Sequence, residues 1–451
     1  MTDPDALAAF TSALGDIPVL RDPALVQQRS RDCFWYSPVL KRQLNDRVAD
    51  LVVCPRNRDE VERVLAAAVR FSVSVTPRGG GTGTCGQSVP LAGGVVLDLT
   101  RLDRIVWVRD GMMRVEAGAR LVELERVLRE RGWELRLFPS AKRNATIGGF
   151  VAGDAVGVGS VNWGALDDPG NVLAVQIVTA EATPRVLELR GSATGLVSGA
   201  WGTTGVITEL ELPLAPAMPW RDVVAGFPGF MQAARFCLDL ASNPAIDRKL
   251  VSAVEAAIAQ SFRGVRELLS AGECLALLMV APSGMTALRE LVAAHGGRIV
   301  LDADTLVAET HAGGVPLYEL AWHHTTLQML KRDPAVTYLR SRFPVADSLA
   351  TVERIRALFG DEVPMHLEFV TMGGAPACVG LQIVRFSTEE RLAEIIRIHE
   401  QNGVAMSTPH ACGFRGGDRV GFRQQVDPLR LLNPGKMIDE VAAVAVSVAA
   451  D

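Results

Sequence analysis

The sequence predicts an α+β protein of two or three domains, and three observations carry that expectation. Residues 50–99 run as strand, helix, strand, glycine-rich loop and strand. Glu209–Trp220 (ELELPLAPAMPW) holds three prolines and reads as a boundary. Beyond it, short apolar strands alternate with amphipathic helices, the pattern of a ferredoxin-like α+β cap built on an antiparallel sheet. The expected units are residues 1–215, a cap over 216–400, and a C-terminal segment 401–451 that returns to the first unit.

The elements follow in order. Asp50–Arg56 (DLVVCPR) reads as a strand stopped at a proline, and Asp59–Phe71 as an amphipathic helix with Val61, Val64, Leu65 and Ala68 on one face. Phe71–Thr76 is strand-like. In the cap, Val223–Phe227, Glu273–Ala281, Pro364–Thr371 and Val379–Phe386 read as strands, and Gly229–Ala241, Met285–His295 and Thr388–Asn402 as helices. There is no internal repeat and no low-complexity tract apart from the Ala/Val-rich stretch after Glu440.

The most informative stretch is Val75–Ser88 (VTPRGGGTGTCGQS), with five glycines between Gly79 and Gly86. Glycine permits positive φ and leaves backbone N–H groups uncovered, so such a loop forms a nest for an anion and is expected to hold the pyrophosphate of a nucleotide cofactor. It contains a GxGxxG at Gly81, Gly83 and Gly86. A Rossmann fingerprint must open a helix. Here Pro90 and Gly93-Gly94 break any helix, and Val95–Leu99 alternates like a strand, so that reading fails. Asp98 and Asp103 near ribose-binding spacing are then coincidental. A purely structural glycine-rich hairpin is the other alternative.

The run 50–99 resembles the FAD-binding domain of the vanillyl-alcohol oxidase/p-cresol methylhydroxylase (PCMH) superfamily, and within it the branch of D-lactate dehydrogenases, glycolate oxidase subunits and D-2-hydroxyglutarate dehydrogenases. Three later segments match in order. Phe138–Ala152 (FPSAKRNATIGGFVA) resembles the second flavin segment. Gly195–Leu212 (GLVSGAWGTTGVITELEL) resembles the third, with Trp201 in place of the usual Glu. Leu432–Met437 (LNPGKM) resembles the C-terminal signature. The resemblance implies a two-lobed PCMH-type FAD-binding domain, divided near Leu102–Val108, with FAD between the lobes. No histidine lies in the glycine loop, where covalent relatives carry their link, so non-covalent FAD is expected, with a link from the cap the alternative. It implies cofactor contacts from the first segment at Pro77, Arg78, Gly79, Gly80, Gly81, Thr82, Gly83, Thr84, Gly86, Gln87 and Ser88. From the second it implies Pro139, Ser140, Ala145, Thr146, Ile147, Gly148 and Gly149. From the third and fourth it implies Gly202, Gly205, Val206 and Ile207, with Asn433 and Lys436. Arg78 is expected to fix loop geometry, and Lys436 to hold the flavin or neutralise its reduced anion.

The same resemblance implies an oxidoreductase that takes a hydride from a 2-hydroxy acid of the D-lactate or glycolate kind, or from a related alcohol, while a histidine removes the hydroxyl proton. His410, in Ser407–Gly413 (STPHACG), aligns with the family's EHGIG segment and is the expected base; Pro409 and Ala411 depart from that segment. A histidine suits the role because its ordinary pKa lies near working pH. His323 and His324 in Trp322–Thr326 (WHHTT) form the second candidate cluster, which otherwise reads as a helix start capped near Thr325 or Thr326. Either histidine can face the active site. Arg415 and Arg385 are candidates for a substrate carboxylate, which a guanidinium binds in bidentate fashion. The family's metal motif HxGDGNxH is reduced here to His366 in Met365–Ala375 (MHLEFVTMGGA), so no metal is expected. The His366/Glu368 pair either lines the substrate site or is a satisfied sheet pair. Two other functions stay open: a non-oxidative flavoenzyme of the alkyl-dihydroxyacetonephosphate synthase type, and a non-catalytic FAD-binding subunit of a glycolate oxidase-like complex.

Composition narrows the class. A hydrophobic content of 48% describes a folded globular chain, and a net charge of −5 argues against nucleic-acid binding. No apolar run reaches the length of a membrane span. The N-terminus MTDPDALAAF has no basic region of a signal peptide. Seven scattered cysteines fit reduced thiols in the cytoplasm. Cys85, inside the glycine loop, reads as a small buried filler. The expected partners are the substrate and an unidentified electron acceptor, with a homo-oligomer open.

Overall fold

A computed structural model describes residues 3–153, 156–310 and 315–438; His311 and the stretch after Glu440 lie outside the described residues. Three sheets organise the chain. The first contains β1 (Val19–Leu20), β2 (Leu51–Val53), β3 (Val75–Arg78) and β4 (Val95–Asp98) in the order β1-β2-β4-β3. Strands β2, β4 and β3 are parallel, and the valine-rich runs of β2 and β4 are buried on both faces. The helix Arg58–Phe71 crosses between β2 and β3. The Asn57 side chain caps it by accepting from the Glu60 N–H at 3.0 Å, and it ends at Ser72, whose φ is 53°. Its Val61, Val64, Leu65 and Ala68 are buried as expected. The helix extends through Phe71, so the strand starts later than Phe71–Thr76 and feeds directly into the glycine loop.

The second sheet contains β5 (Ile105–Arg109), β6 (Met112–Glu116), β7 (Trp133–Leu135), β8 (Ala174–Val178), β9 (Val186–Arg190) and β10 (Val206–Pro216). All pairs are antiparallel, in the order β5-β6-β10-β8-β9, with β7 on the far end of the long β10. The chain passes from the first sheet to the second between Asp98 and Ile105.

The third sheet begins with β11 (Arg221–Phe227), β12 (Arg248–Val254), β13 (Cys274–Val280) and β14 (Arg298–Asp304) in the order β14-β11-β13-β12. With helices Phe230–Ser242 and Met285–Ala294 between β11 and β12 and between β13 and β14, this is the βαββαβ ferredoxin-like unit. Strands β12 and β14 carry weak sequence signals. RKLVSAV starts with two cations, and RIVLDAD is only half-buried. The chain then forms β15 (Val336–Tyr338), β16 (Arg340–Arg342), β17 (His366–Met372), β18 (Ala375–Gly380), β19 (Ile383–Arg385) and β20 (Ala405–Ser407). Strands β17, β18, β16 and β20 extend the sheet past β12 to eight strands, while β15 pairs with β19. The run Val379–Phe386 is therefore two strands, not one. The chain leaves this sheet only after Ser407, and β21 (Phe414–Arg415) then pairs in parallel with β22 (Met437–Ile438). The second and third sheets share one apolar core, in which Phe138, Phe262 and Tyr318 are buried.

Candidate active site

A cavity of about 300 Å³ opens where the glycine loop, the segment 139–153, the turn at Trp201-Gly202 and the helix His323–Leu330 meet. The first sheet contributes Pro77, Arg78, Gly79, Gly80, Gly81, Thr82, Gly83, Thr84, Gln87 and Ser88 to its wall. The opposite wall holds Pro139, Ser140, Ala145, Thr146, Gly148 and Gly149, with Gly202 and Ile207 from the third segment. The cap closes it with His323, His324, Leu327 and Arg340.

Each wall is built by local chemistry. The residues Gly79–Gly83 lie outside every strand and helix, so their backbone faces the cavity bare. A Cβ at Gly80 would sit 2.1 Å from the Asn144 carbonyl oxygen, and one at Gly81, whose φ is +66°, would sit 2.0 Å from the Arg78 guanidinium. The loop is thus pressed between two fixed walls and admits no side chain there. Arg78 is buried and donates to the Arg31 carbonyl at 2.6 Å and to Ser88 Oγ at 3.3 Å, a bracing role under the loop. Bare loop backbone, with Trp35, Tyr36, Leu99, Phe150 and Ile207 as apolar and aromatic walls, fits a dinucleotide that has a diphosphate and a flat ring system.

Residues 49–188 match the family described as FAD binding domain. That stretch is an FAD binding domain. The resemblance to the vanillyl-alcohol oxidase/p-cresol methylhydroxylase superfamily holds, and the α+β fold class with it. The chain is 34% identical to the mitochondrial D-2-hydroxyglutarate dehydrogenase of Rattus norvegicus over 197 residues, which are 41% of this chain but only 36% of that protein. It is 27% identical to the Bos taurus counterpart over 423 residues, 85% of this chain and 76% of that one. Among solved structures, an alkyldihydroxyacetonephosphate synthase superposes with a TM-score of 0.74 at 18% identity, covering 97% of this chain and 86% of that one, a likeness of fold.

Around the FAD binding domain, several expected contacts stand behind the cavity wall instead of lining it. Ile147 and Val206 are core residues. Gly205, with φ +117°, packs against Ile177. Gly86 is a hub: a Cβ on it would meet Leu44 and the Cys412 sulfur, and its carbonyl accepts from Lys436 Nζ. Asn433, buried with φ 41°, donates from Nδ2 to the Gln87 carbonyl at 2.8 Å and the Trp201 carbonyl at 2.7 Å. Asn433 and Lys436 therefore clasp the loop from behind. Cys85 is buried beside Thr84 and Tyr338, as a filler would be.

His410, the expected base, stands behind the cavity. It is buried outside the cavity lining, and both ring nitrogens are engaged. Nε2 lies 3.0 Å from the Tyr338 carbonyl, which only accepts, so Nε2 carries the proton and donates. Nδ1 then accepts from Ser37 Oγ at 2.8 Å. Burial pushes its pKa down to about 4, against the bond to the Tyr338 carbonyl. Both ring nitrogens are thus committed to Ser37 and Tyr338, and the ring does not line the cavity. Arg415 is likewise displaced: it is exposed on β21, away from the cavity, and Arg385 is exposed at the end of β19.

The histidines that reach the cavity are His323 and His324. His323 Nε2 is buried without a hydrogen-bond partner among the described residues. Burial, the Arg340 charge and then His324 and His366 hold its pKa well below the ordinary histidine value. Burial, then the Lys331 charge, lowers His324 to about 4. The helix carrying both begins at Trp322, an N-cap with φ 54° and ψ −140° and no side-chain cap bond, so neither Thr325 nor Thr326 is the cap. That strained backbone is held from β17: Glu368 Oε1 accepts from the Trp322 N–H at 2.6 Å and pairs with His366 Nε2 at 2.9 Å. The His366/Glu368 pair is thus a buried support below the cavity. Among the described residues, no three His, Cys, Asp or Glu side chains converge as cation ligands.

Tyr338 joins the parts. Its hydroxyl bonds Thr84 Oγ1 of the glycine loop at 2.8 Å, and its ring packs edge-on against His323 at 5.4 Å and Tyr36 at 6.2 Å. Sequence reasoning missed Tyr36, Tyr338 and Arg340. Nothing around YLRSRF separates a cavity arginine from a surface one, because the distinction arises only when β16 pairs between β18 and β20.

Proposed function

We propose that the protein is an FAD-dependent dehydrogenase that oxidises a small 2-hydroxy acid to the 2-oxo acid. The observation that carries this reading is one cavity in which an FAD binding domain's glycine loop meets the Arg340 guanidinium and the unpartnered Nε2 of His323. FAD, when bound, accepts the hydride from the substrate α-carbon. Arg340 binds the substrate carboxylate in bidentate fashion. His323, neutral at working pH, takes the hydroxyl proton on Nε2. A carboxylate on Arg340 offsets the positive charge that otherwise disfavours the imidazolium, so substrate binding makes His323 a stronger base. In this assignment residues 1–215 and the C-terminal return bind FAD, and 216–400 form the substrate cap.

Relatives support the substrate class. D-2-hydroxyglutarate dehydrogenases match, as does a D-lactate dehydrogenase [cytochrome] of Arabidopsis thaliana. Seven unpaired cysteines support a reducing compartment such as the cytoplasm, although these relatives are named as mitochondrial. Among the described residues, no helix is long and apolar enough to cross a membrane. The test is stopped-flow reduction of the FAD-loaded enzyme by D-lactate, glycolate and D-2-hydroxyglutarate. Reduction by one of them, slowed in His323→Ala, is expected; equal rates in wild type and His323→Ala exclude His323 as the base.

A further inference from the structure

Behind the glycine loop, Lys436 Nζ lies 2.8 Å from Cys412 Sγ. That is the separation of a nitrogen–oxygen hydrogen bond, although sulfur is the larger atom. The Lys436 side chain is fully buried, and its other partner is the Gly86 carbonyl, which Cys412 Sγ also approaches at 3.6 Å. Two different reactive groups are thus held against one carbonyl of the cofactor loop by neighbouring segments of the C-terminal return. Cys412 is only partly buried, whereas Cys85 beside it is sealed.

We propose that Lys436 and Cys412 form an oxidant-driven covalent cross-link, in which one oxygen bridges Nζ and Sγ, with hydrogen peroxide as the co-reactant. The gap between the two atoms matches the span of one bent oxygen bridge. A first peroxide oxidises the thiol to the sulfenic acid: the S–H becomes S–OH, the peroxide O–O bond breaks, and one water leaves. A second peroxide oxidises the sulfenic acid together with the amine. The N–O bond forms, one N–H and the S–O–H proton are lost, and two waters leave. Overall, one thiol, one amine and two peroxides give one N–O–S bridge and three waters. Sulfur and nitrogen are oxidised, and the peroxide oxygens not kept in the bridge are reduced. Burial favours the uncharged amine that the second step needs, because it pushes Lys436 down. Peroxide is the product class that reduced flavins give with dioxygen. The bridge would tie the C-terminal return to the loop through the two groups that meet at Gly86.

The test treats the FAD-loaded full-length protein with a modest excess of hydrogen peroxide, then compares intact mass and non-reduced peptide maps before and after a thiol reductant. The expected product is one species heavier by an oxygen and lighter by two hydrogens. Its linked peptides should contain Cys412 and Lys436, and the link should be cleaved by the reductant. Cys412→Ser and Lys436→Met should each abolish it. Because Lys436→Met can lose fold, Cys412→Ser with its circular dichroism spectrum is the primary control. Sulfinic acid at Cys412 without a Lys436 link overturns the proposal, as does a link lacking the oxygen or no modification at all.

Discussion

The three histidines nearest the glycine loop differ in what their ring nitrogens do. His410 spends both on neighbours, whereas His323 keeps Nε2 buried and unpartnered in the cavity wall. His323→Ala should retain FAD and slow flavin reduction by at least about tenfold, read by anaerobic stopped flow. His410→Ala should instead act on stability. Losing two buried hydrogen bonds costs about 1–3 kcal/mol, read as a fall in denaturant midpoint, with FAD reduction by substrate persisting in the folded fraction. A tenfold or greater loss of reduction rate in folded His410→Ala would return the proton to that residue. Arg340→Met should raise KM for a 2-hydroxy acid by about ten- to a hundredfold, the scale of a charged hydrogen-bond pair, with a smaller effect on an uncharged alcohol. An equal effect on both substrates would remove Arg340 as the carboxylate site. At this scale the sequence was half legible. The WHHTT cluster was visible as chemistry, but which nitrogen is free depends on the Tyr338 carbonyl and the Ser37 hydroxyl, 72 and 373 residues from His410. No local pattern encodes that.

The elements explain why the glycine loop was so readable. It follows a buried parallel strand and is squeezed against Asn144–Thr146, so the amino-acid types there are set by space, and space leaves glycine as the only answer. Gly80→Ala should abolish FAD retention through gel filtration while the apoprotein keeps its circular dichroism spectrum, since the added Cβ meets backbone and cannot be relieved by a rotamer. Retained FAD in that variant would mean the loop moves freely. The helix His323–Leu330 was legible as a helix but not in where it starts, because it is anchored by Glu368 from another sheet instead of by a local cap. Glu368→Ala should lower kcat more than KM and lower Tm, and Glu368→Gln, which keeps a carbonyl acceptor for the Trp322 N–H, should recover part of both. If Gln recovers neither, the Trp322 bond is not what Glu368 supplies. Strands β12 and β14 escaped notice for a different reason: charged ends and half-burial dilute the alternation that marks a strand.

Across the whole molecule, buried neutral histidines set the acid limit. His324 and His410 sit at about 4 when folded, His323 lies well below its ordinary value, and burial also lowers His399. The unfolded chain therefore binds more protons than the folded one below the ordinary histidine value of about 6.5, and stability contributed by the neutral rings is lost as pH falls from there towards about 4. Burial also raises three carboxyls, Asp32 and Asp222 to about 6 and Asp427 above its ordinary value, and these act in the opposite sense. They are fewer than the histidines, so Tm should fall between about pH 6.5 and pH 4; a flat or rising Tm across that window would show that these rings are not sealed in solution. The two sheets before Arg221 and the eight-stranded sheet after it place one cavity at their meeting point, and a hydroxy acid is proposed to give up a hydride there. The most direct measurement is the visible spectrum of the FAD-loaded protein, followed anaerobically as D-lactate, glycolate and D-2-hydroxyglutarate are added in turn. Bleaching of the flavin band by one of them, with the matching 2-oxo acid formed in equal amount, is the expected result. A flavin band that stays oxidised with all three would contradict the proposed chemistry.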